Sequence, residues 1–479
     1  MKHILSVLVI LGLFTGCTED FAEINTNPNG PVTVQPDLLF RQVIYGFGND
    51  MGREGFAGGA LLSQHFAMTD FNLFDRHALS SPQEGGDPWP ILYTALRDNE
   101  TVLEISRANP TAAAYEGPAL VMKAYLAMNL TDIFGDVPYF EAFSARTNQV
   151  TKPAYDAQER IYTEAGGILD NLTTAVEVMD ADAGSFPLGG DLLFGGDLEG
   201  WIRFANSLRI KALIRISARR APGQELQDIV NDGRFIKNGT QDATFDFAAS
   251  PPNSFPIAEE RAGIFNVFLM SRTAERVYNA LNDPRTGTIY RSTQPFLGFA
   301  GIQNGIIGGA AVPVDTFARP GLVWRENSQD LDFNYLTAWE TDFLLAEAVL
   351  KGFVNDTDGS AERYYNGGIR KAFAYWLTDL PESYVSTGPA AYDPDRALEQ
   401  IITQKWIAST ANVYEGWNEW RRTGFPALLP VAESLNNNMI PVRMPYPSEE
   451  QALNFENYSS AAAATDDNSI NTKVWWDGE

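Results

Sequence analysis

Cysteine is nearly absent from this chain, since Cys17 is the only one among 479 residues. No disulfide can form within the chain, so its stability must come from the packing of apolar side chains. Histidine is almost as scarce and occurs only as His3, His65 and His77. If His3 leaves with the N-terminal segment, the remaining two cannot make a three-histidine zinc site. No nucleophile-elbow string accompanies either of them, which argues against a Ser/His/Asp hydrolase.

Basic charge and long apolar runs are also lacking. Lys and Arg number 35 against 61 Asp and Glu, which gives a formal net charge of −26. No basic stretch follows a phosphate backbone, so nucleic acid is not expected as a partner. Residues 4–14, ILSVLVILGLF, form an apolar run that is too short to span a bilayer, and no later run approaches that length.

The N-terminus has the layout of a bacterial lipoprotein signal. Lys2 supplies a positive start, the apolar run follows, and Thr15 and Gly16 stand directly before Cys17. We therefore expect residues 1–16 to be a signal peptide and Cys17 to carry a diacylglycerol, although Phe14 departs from the usual aliphatic residue. Residues 17–37, rich in Asn and Pro, are expected to be a tether and entry loop. The alternative is an ordinary secreted protein with a buried cysteine.

Helical periodicity dominates the rest of the chain, with apolar residues at three- and four-residue spacing. It is clearest over residues 199–220, where Asp197 is suited to cap the first turn. Residues 157–180 are predicted as one continuous helix. We predict a mainly α fold in which four tetratricopeptide-like helix-turn-helix pairs form a scaffold. The pairs are residues 91–134, 157–220, 338–377 and 394–422.

Two loop regions interrupt this pattern. Residues 234–335 form a long, irregular, loop-rich insert with Phe, Pro, Gly and Asn clusters, broken by one predicted helix over 261–281. Residues 64–90 form a second loop, and residues 423–479 are expected to be irregular. Because loops of this length in a compact domain are usually functional, we expect the ligand site among the first two.

Acidic residues invite a catalytic interpretation in the string YEGWNEWRRTGFP, where Glu415 and Glu419 are four residues apart. A glycosidase needs two carboxyl groups opposed across a cleft, which neighbours on one helix face rarely provide. Pairing with Lys405, Arg421 or Arg422 is the better account. In TDIFGDVPYFEA (131–142), the acids are interpreted as part of a helix end at a glycine.

Two other strings are weak matches to cofactor motifs. NDTDGS (355–360) has acids at alternate positions, but its glycine does not stand at the sixth position and no glutamate stands at the twelfth. GGDLLFGGD (189–197) lacks the Lys-Ser/Thr that would hold a phosphate. Both are interpreted as turns, and neither a cofactor nor a metal ion is expected.

The aromatic loops are the best candidates for a ligand site. An aromatic side chain covers the C–H face of a sugar ring, while Asp, Asn, Gln and Arg bind its hydroxyl groups. The alternative for each ring is that it anchors a long loop to the scaffold. The candidates are Phe71, Phe74, Asp75, Arg76, His77 and Trp89 in the first loop, and Phe296, Phe299, Gln303, Asn304, Trp324 and Arg325 in the insert.

Eight strings along the chain resemble the SusD/RagB family of nutrient-binding outer-membrane lipoproteins of Bacteroidetes, particularly its second SusD-like branch. They occur in order over nearly the whole sequence. They are INTNPNGP (24–31), TDIFGDVPYFEA (131–142), WIRFANSLRIKALIRIS (201–217), DFLLAEAVLKG (342–352), IITQKWIA (401–408), YEGWNEWRRTGFP (414–426), IPVRMPYPSEEQALNFENY (440–458) and TKVWW (472–476). The resemblance implies one SusD-like domain over residues 38–479.

The resemblance also implies a function. Such a protein is lipid-anchored at the cell surface on the outer membrane, captures a nutrient, typically an oligosaccharide, and delivers it to a SusC-like TonB-dependent barrel transporter. No catalysis is implied. The family has no fixed ligand motif, so it assigns no role to the loop residues above. Two alternatives stay open: a tetratricopeptide-like envelope scaffold protein and a lipoprotein glycosidase.

Overall fold

The computed structural model describes residues 35–80, 85–182, 186–294, 298–309, 312–355 and 359–478. Within these ranges the fold is mainly helical, as predicted, with a few short strands. The chain from Pro36 onward forms one compact unit. The predicted lipidation residue Cys17, the signal peptide and most of the tether lie outside the described residues.

The helices of the first half begin close to the predicted tether and continue into the insert. Among the described residues they are α1 (Pro36–Glu54), α2 (Ala60–Leu62), α3 (Pro88–Ala108), α4 (Glu116–Phe134), α5 (Ala145–Asn148), α6 (Gln158–Thr163), α7 (Ile168–Asp182), α8 (Leu198–Arg215), α9 (Gly223–Asp232), α10 (Pro256–Glu259), α11 (Ala262–Phe265), α12 (Arg272–Leu281) and α13 (Thr286–Ile289).

The helices of the second half form the last two predicted pairs and the C-terminal segment. They are α14 (Ala338–Leu350), α15 (Ala361–Tyr375), α16 (Glu382–Ser386), α17 (Ala397–Ala408), α18 (Glu415–Thr423), α19 (Ser448–Leu453) and α20 (Phe455–Ala464). The last two helices lie within residues 423–479, where the sequence predicted more irregular chain.

The four predicted helix pairs are present and packed. The helices of α3–α4, α7–α8, α14–α15 and α17–α18 pack against each other within each pair. Local sequence explains their ends. The Asp197 carboxylate accepts a hydrogen bond from the Glu199 amide at 3.0 Å and caps α8, as predicted. Gly135 ends α4 with a φ of +80°, which a residue with a Cβ adopts only at a cost.

Two predicted helices are interrupted. The helix expected over 157–180 is broken between α6 and α7, where Gly166 has a φ of +75°. The helix expected over 261–281 is split by a strand, Phe268–Met270, that pairs with Phe66–Met68. Periodicity alone predicted continuity in both places, but a glycine turn and a long-range strand partner override it.

In the part of the chain that the structure describes, six strands form three two-stranded antiparallel sheets in and beside the insert. In the first sheet, Phe66 stands opposite Met270. This sheet holds the start of the first loop against the insert. The strands are β1 (Phe66–Met68), β2 (Ala243–Asp246), β3 (Phe268–Met270), β4 (Tyr290–Arg291), β5 (Arg319–Pro320) and β6 (Asp332–Leu336), paired β1–β3, β2–β6 and β4–β5.

A glycine-rich π-helix, Gly55–Gly59, joins α1 to α2 and packs against the segment before α18. A Cβ on Gly59 would lie 1.7 Å from the carbonyl oxygen of Val413, so only glycine permits this approach. The contact joins the start of the domain to its last helix pair. The core is therefore built from both halves of the chain.

Candidate functional site

Glu415 and Glu419 lie in a buried charge cluster and not in a cleft. Arg215 donates to Glu419 at 2.8 Å and to both oxygens of Glu415 at 2.8 and 2.9 Å. Lys405 lies 2.7 Å from Glu415. The cluster comprises Lys211, Arg215, Lys405, Arg421 and Arg422 together with Asp132, Glu340, Glu347, Glu415 and Glu419.

Each acid of that pair is held ionised by its neighbours. Burial raises the pKa of Glu419, but the nearby cations, Arg422 first, outweigh it and hold that pKa below its usual range. The prediction that these glutamates pair with basic residues is confirmed for Lys405 and Arg422. Arg421 instead donates to backbone carbonyl groups and lies over the Trp417 ring, 3.8 Å from its centroid.

Asp132 is a structural acid as well. Its Oδ1 accepts hydrogen bonds from the Tyr162 hydroxyl at 2.5 Å and from the Trp476 indole at 2.7 Å, and its Oδ2 lies 3.2 Å from Arg215. These contacts tie the end of α4 to α8 and to the C-terminus. Asp132 therefore serves packing, which agrees with the interpretation of this string as a helix end.

Three loops lock together elsewhere and form a surface that we name the three-loop surface: residues 69–80, 298–309 and 429–439. The first two are joined through Asp75, which accepts from the Asn304 side chain at 2.6 Å and from the Gly305 amide at 2.8 Å. Asn72 donates to the Ile306 carbonyl group at 2.6 Å. The sequence had placed Asp75 and Asn304 in different loops, and the structure brings them into direct contact.

Asp75 and Asn304 also fasten these loops to the β1–β3 sheet. Asp75 accepts from the Met68 amide at 3.1 Å, while Asn304 donates to the Phe66 carbonyl group at 2.8 Å and accepts from Ser271 at 2.8 Å. Burial raises the pKa of Asp75 to about 6, although these donors oppose the shift. Both side chains are buried, so their role is to hold the loops in place.

The third loop, residues 429–439, was not among the predicted site regions. Its Ala432 amide donates to the Asn304 carbonyl group at 2.9 Å, and Gln303 donates to the Pro430 carbonyl group at 2.9 Å. A Cβ on Gly305, whose φ is +71°, would lie 2.1 Å from Val431. The close approach of the second and third loops thus depends on glycine.

Arg76 and His77 join the first loop to the third. Arg76 Nε donates to the Glu433 carbonyl group at 2.9 Å, and the Leu435 amide donates to the Arg76 carbonyl group at 2.7 Å. His77 is buried, its Nδ1 lies 3.2 Å from the Met439 carbonyl oxygen, and burial lowers its pKa to about 4. His77 is therefore neutral at pH 7.

The same three loops expose large apolar side chains. Phe71 is 49% exposed on the first loop and Ile307 is 56% exposed on the second. Leu435 and Met439, on the third, are 51% and 46% exposed. An aromatic ring and aliphatic side chains on a hydrogen-bonded frame suit a ligand with an apolar face and a polar rim. Of this set, the sequence had predicted only Phe71.

Other predicted rings pack inward. Trp324 is only 1% exposed, its indole donates to the Ile289 carbonyl group at 2.9 Å, and it contacts the Phe56 ring. Phe74 and Trp89 are also buried in the core. The contacts of these three rings therefore fit the alternative to ligand binding, in which each ring anchors a loop to the scaffold.

The remaining candidates occupy intermediate positions. Phe299 is half-buried against the core, and the guanidinium carbon of Arg325 lies 5.1 Å from the centre of the Phe265 ring. Phe296 lies outside the described residues. The three-loop surface therefore unites Phe71, Asp75, Arg76, His77, Phe299, Gln303 and Asn304 and leaves the buried rings and Arg325 elsewhere.

The described residues contain neither a candidate metal site nor a candidate membrane-spanning helix. No three His, Cys, Asp or Glu side chains there are grouped so as to hold a metal ion. Asp356 and Asp358 of the calcium-like string fall outside those ranges. No helix in the described part of the chain has both the length and the apolar character required to cross a bilayer.

The class of protein is defined by two features. Its helix pairs form a mainly helical framework, and its candidate site is built from loops outside the helices. A family model described as "Starch-binding associating with outer membrane" (SusD-like_2) matches residues 28–447. The chain therefore belongs to the SusD-like family, in the branch that its sequence resembles. That family is described as associated with the outer membrane.

Solved structures share the fold. A chitin-binding protein matches with 23% identity and a TM-score of 0.77, over 93% of this chain and all of its own (100%). A chitin-binding SusD homolog from Flavobacterium johnsoniae matches with 22% identity and a TM-score of 0.76, over 91% of this chain and 98% of its own. A SusD homolog from Bacteroides fragilis has 19% identity, a TM-score of 0.77, and coverages of 92% and 100%. No curated protein matches the sequence.

Proposed function

We propose that this chain is a surface-exposed, lipid-anchored protein of the outer membrane that captures an oligosaccharide and delivers it to a SusC-like TonB-dependent barrel transporter. Capture takes place on the three-loop surface, and residues 38–479 act as one binding domain. The carrying observation is that the three hydrogen-bonded loops each expose large apolar side chains, with Phe71 as the exposed ring.

The chemistry of that surface suits a sugar chain. Phe71 offers a ring to the C–H face of a sugar, and the loops hold it on a frame set by Asp75 and Asn304. A frame formed before binding reduces the entropy lost on association. Chitin binding by two structures of the same fold supports a glycan as the ligand class.

Binding without catalysis is the proposal for the site as a whole. The acid pair that best fits a glycosidase motif, Glu415 and Glu419, is buried and neutralised by cations. A retaining or inverting glycosidase needs one carboxyl group that stays protonated at the working pH. The cations around Glu415 and Glu419 lower the pKa of both carboxyl groups and thus keep them ionised.

The proposed lipid anchor is supported by the N-terminal sequence, and the proposed transporter partner is supported by the family. The residues before Cys17 have the lipoprotein layout, and three acyl chains would hold the protein firmly on a membrane. With the domain on the cell surface, a barrel transporter beneath it would receive the captured ligand. The family description, outer-membrane association, supports this placement.

A binding assay tests the capture step. A glycan array followed by isothermal titration calorimetry on the best ligand should give specific binding by the native chain. Phe71→Ala should weaken that binding by about tenfold, since a ring stacked on a ligand contributes on the order of 1 to 2 kcal/mol. Phe186→Ala, at a ring that is 40% exposed outside the three loops, is the matched control.

Equal affinity of the native chain and Phe71→Ala for every glycan would overturn the assignment of the surface.

A tagged pull-down from solubilised outer membranes tests the delivery step. A near-stoichiometric barrel transporter is the expected partner. Its absence in several detergents, with ligand supplied, would overturn delivery and favour the scaffold alternative, while release of shorter sugars would favour the glycosidase.

A further inference from the structure

A cavity of about 310 Å³ lies at the end of the first loop, where residues 79–80 and 86–89 meet residues 444–451. Its buried wall includes Trp89, Phe134, Met444 and Tyr446. The Trp89 ring meets the Phe134 ring edge-on at 4.9 Å. The volume is at the lower end of the range of small-molecule pockets and fits one sugar ring better than a chain.

The side chain of Tyr446, in the wall of this cavity, carries a buried hydroxyl group. The residue is 3% exposed, and its buried hydroxyl oxygen makes no hydrogen bond of ordinary geometry among the described residues, although the Arg443 guanidinium carbon lies 4.3 Å from the centroid of its ring. Its backbone is held firmly, because Asn468 accepts from the Tyr446 amide at 2.8 Å and donates to its carbonyl group at 3.0 Å. A buried hydroxyl without a partner costs free energy that a ligand hydroxyl could recover.

The exposed side of the cavity carries acids, and the Arg443 guanidinium packs on the Tyr446 ring without lining the cavity. Asp87, Glu449 and Gln451 line it, and its described lining includes no Lys, Arg or His. Partial burial and then the neighbouring Glu449 carboxylate raise the pKa of Asp87. Two carboxylates that repel each other gain most from a ligand that brings positive charge or hydrogen-bond donors.

We infer that this cavity is a second saccharide subsite that takes one sugar ring and prefers a ring with a free amine over a neutral ring, and a neutral ring over an acidic one. The inference rests on the proposed function, since it names the class of sugar within the captured chain. The apolar wall contacts the C–H face, Tyr446 hydrogen-bonds a hydroxyl group, and Asp87 and Glu449 face the amine.

The segments that line the cavity follow directly in sequence from two loops of the three-loop surface. The first loop runs from Phe71 to Ser80 at the cavity, and the third loop leads from Met439 to Met444 in the cavity wall. His77 joins the two loops between these points. The cavity and the three-loop surface are therefore built on the same two stretches of chain.

The test is calorimetric titration, at pH 6, of the native chain with three linear tetramers: one of glucosamine, one of N-acetylglucosamine and one of galacturonic acid. We expect the glucosamine tetramer to bind at least tenfold more tightly than the galacturonic acid tetramer. The double variant Asp87→Asn/Glu449→Gln should abolish that preference. Asp379→Asn/Glu382→Gln removes two acids elsewhere in the chain and is the matched control, which should keep it.

Tyr446→Phe tests the wall separately. It removes only the hydroxyl group without a partner, so folding should be unharmed, while the affinity for the glucosamine and N-acetylglucosamine tetramers should fall about threefold to tenfold. An unchanged affinity in Tyr446→Phe, or a preference that survives the double variant, overturns the subsite. If Phe71→Ala still weakens binding in that case, the proposed function stands without it, whereas no binding to any glycan overturns both.

Discussion

His77 combines a left-handed backbone conformation with a buried ring. Its φ is +70°, in the left-handed region, and its ring is buried with Nδ1 3.2 Å from the Met439 carbonyl oxygen. Burial lowers its pKa to about 4, against an ordinary value of 6.5. The folded chain therefore rejects a proton that the unfolded chain accepts.

This difference predicts a pH dependence of stability. Between pH 6.5 and about 4 the unfolded state binds the extra proton, so the contribution of His77 is complete above pH 6.5 and is lost as the pH falls. Relative to His77→Asn, whose side chain tolerates a positive φ, the native chain should lose about 2 kcal/mol between pH 7.5 and 5.0. Urea denaturation at several pH values measures this difference.

His65 is present in both proteins, so its own titration cancels from the comparison. Burial lowers its pKa to about 3. Parallel stability curves for the native chain and His77→Asn would contradict the assignment of a neutral, buried His77. The expected curves separate as the pH falls.

At the scale of elements, α18 is held against its neighbours by buried charges. Its Glu415 and Glu419 face Arg215 on α8 and Lys405 on α17, all of them buried. The cluster thus fixes how three helices pack. A buried ion pair adds little to stability as a whole, but the loss of one partner leaves an uncompensated charge in the interior.

Glu419→Gln should therefore destabilise the chain by about 3 to 5 kcal/mol, because it leaves Arg215 and Arg422 with one carboxylate fewer. The matched control is Glu382→Gln, an exposed acid 3.7 Å from Arg370, which should cost less than about 1 kcal/mol. Urea denaturation at pH 7.5 compares them. Full stability in Glu419→Gln, together with loss of a sugar-cleaving activity, would instead indicate a catalytic acid.

At the scale of the whole molecule, residues far apart in sequence complete one core. The Tyr335 hydroxyl donates to the Ile44 carbonyl group at 2.6 Å, and the Trp476 indole donates to Asp132 at 2.7 Å. Trp476 is fully buried and lies beside two guanidinium groups, those of Arg215 and Arg421. The C-terminus therefore belongs to the core.

Trp476→Ala should cost at least about 4 kcal/mol, since it opens a large cavity and removes a donor from the buried Asp132. Trp475→Ala, one position earlier at a half-buried ring, should cost clearly less. Urea denaturation followed by both far- and near-ultraviolet circular dichroism should show both signals shifting together. A shift confined to one signal would show that the C-terminus is not coupled to the rest.

Much of the scaffold was predictable because its signals are local. The cap at Asp197 and the stop at Gly135 depend on residues within one helical turn, and periodicity located the four helix pairs. The break at Gly166 and the strand Phe268–Met270 were missed. The first depends on a glycine inside a periodic pattern, and the second depends on a partner about 200 residues away.

The candidate site was predictable only in part. Loop position and residue chemistry found Phe71, Asp75 and Asn304, but they did not distinguish the exposed ring of Phe71 from the buried ring of Trp324. Loop 429–439 was missed altogether. A signal was present in the sequence, since Asn437 and Asn438 adopt the positive φ that asparagine tolerates and thus mark a turn beside the exposed Met439.

The sequence by itself determined the helix pairs, the charge balance, the export layout around Cys17 and the family, because each depends on the order and spacing of neighbouring residues. Only the tertiary structure decided which loop residues meet and which rings reach solvent. Burial and contact depend on segments hundreds of positions apart, as between Asp75 and Asn304, and neither composition nor periodicity carries that information.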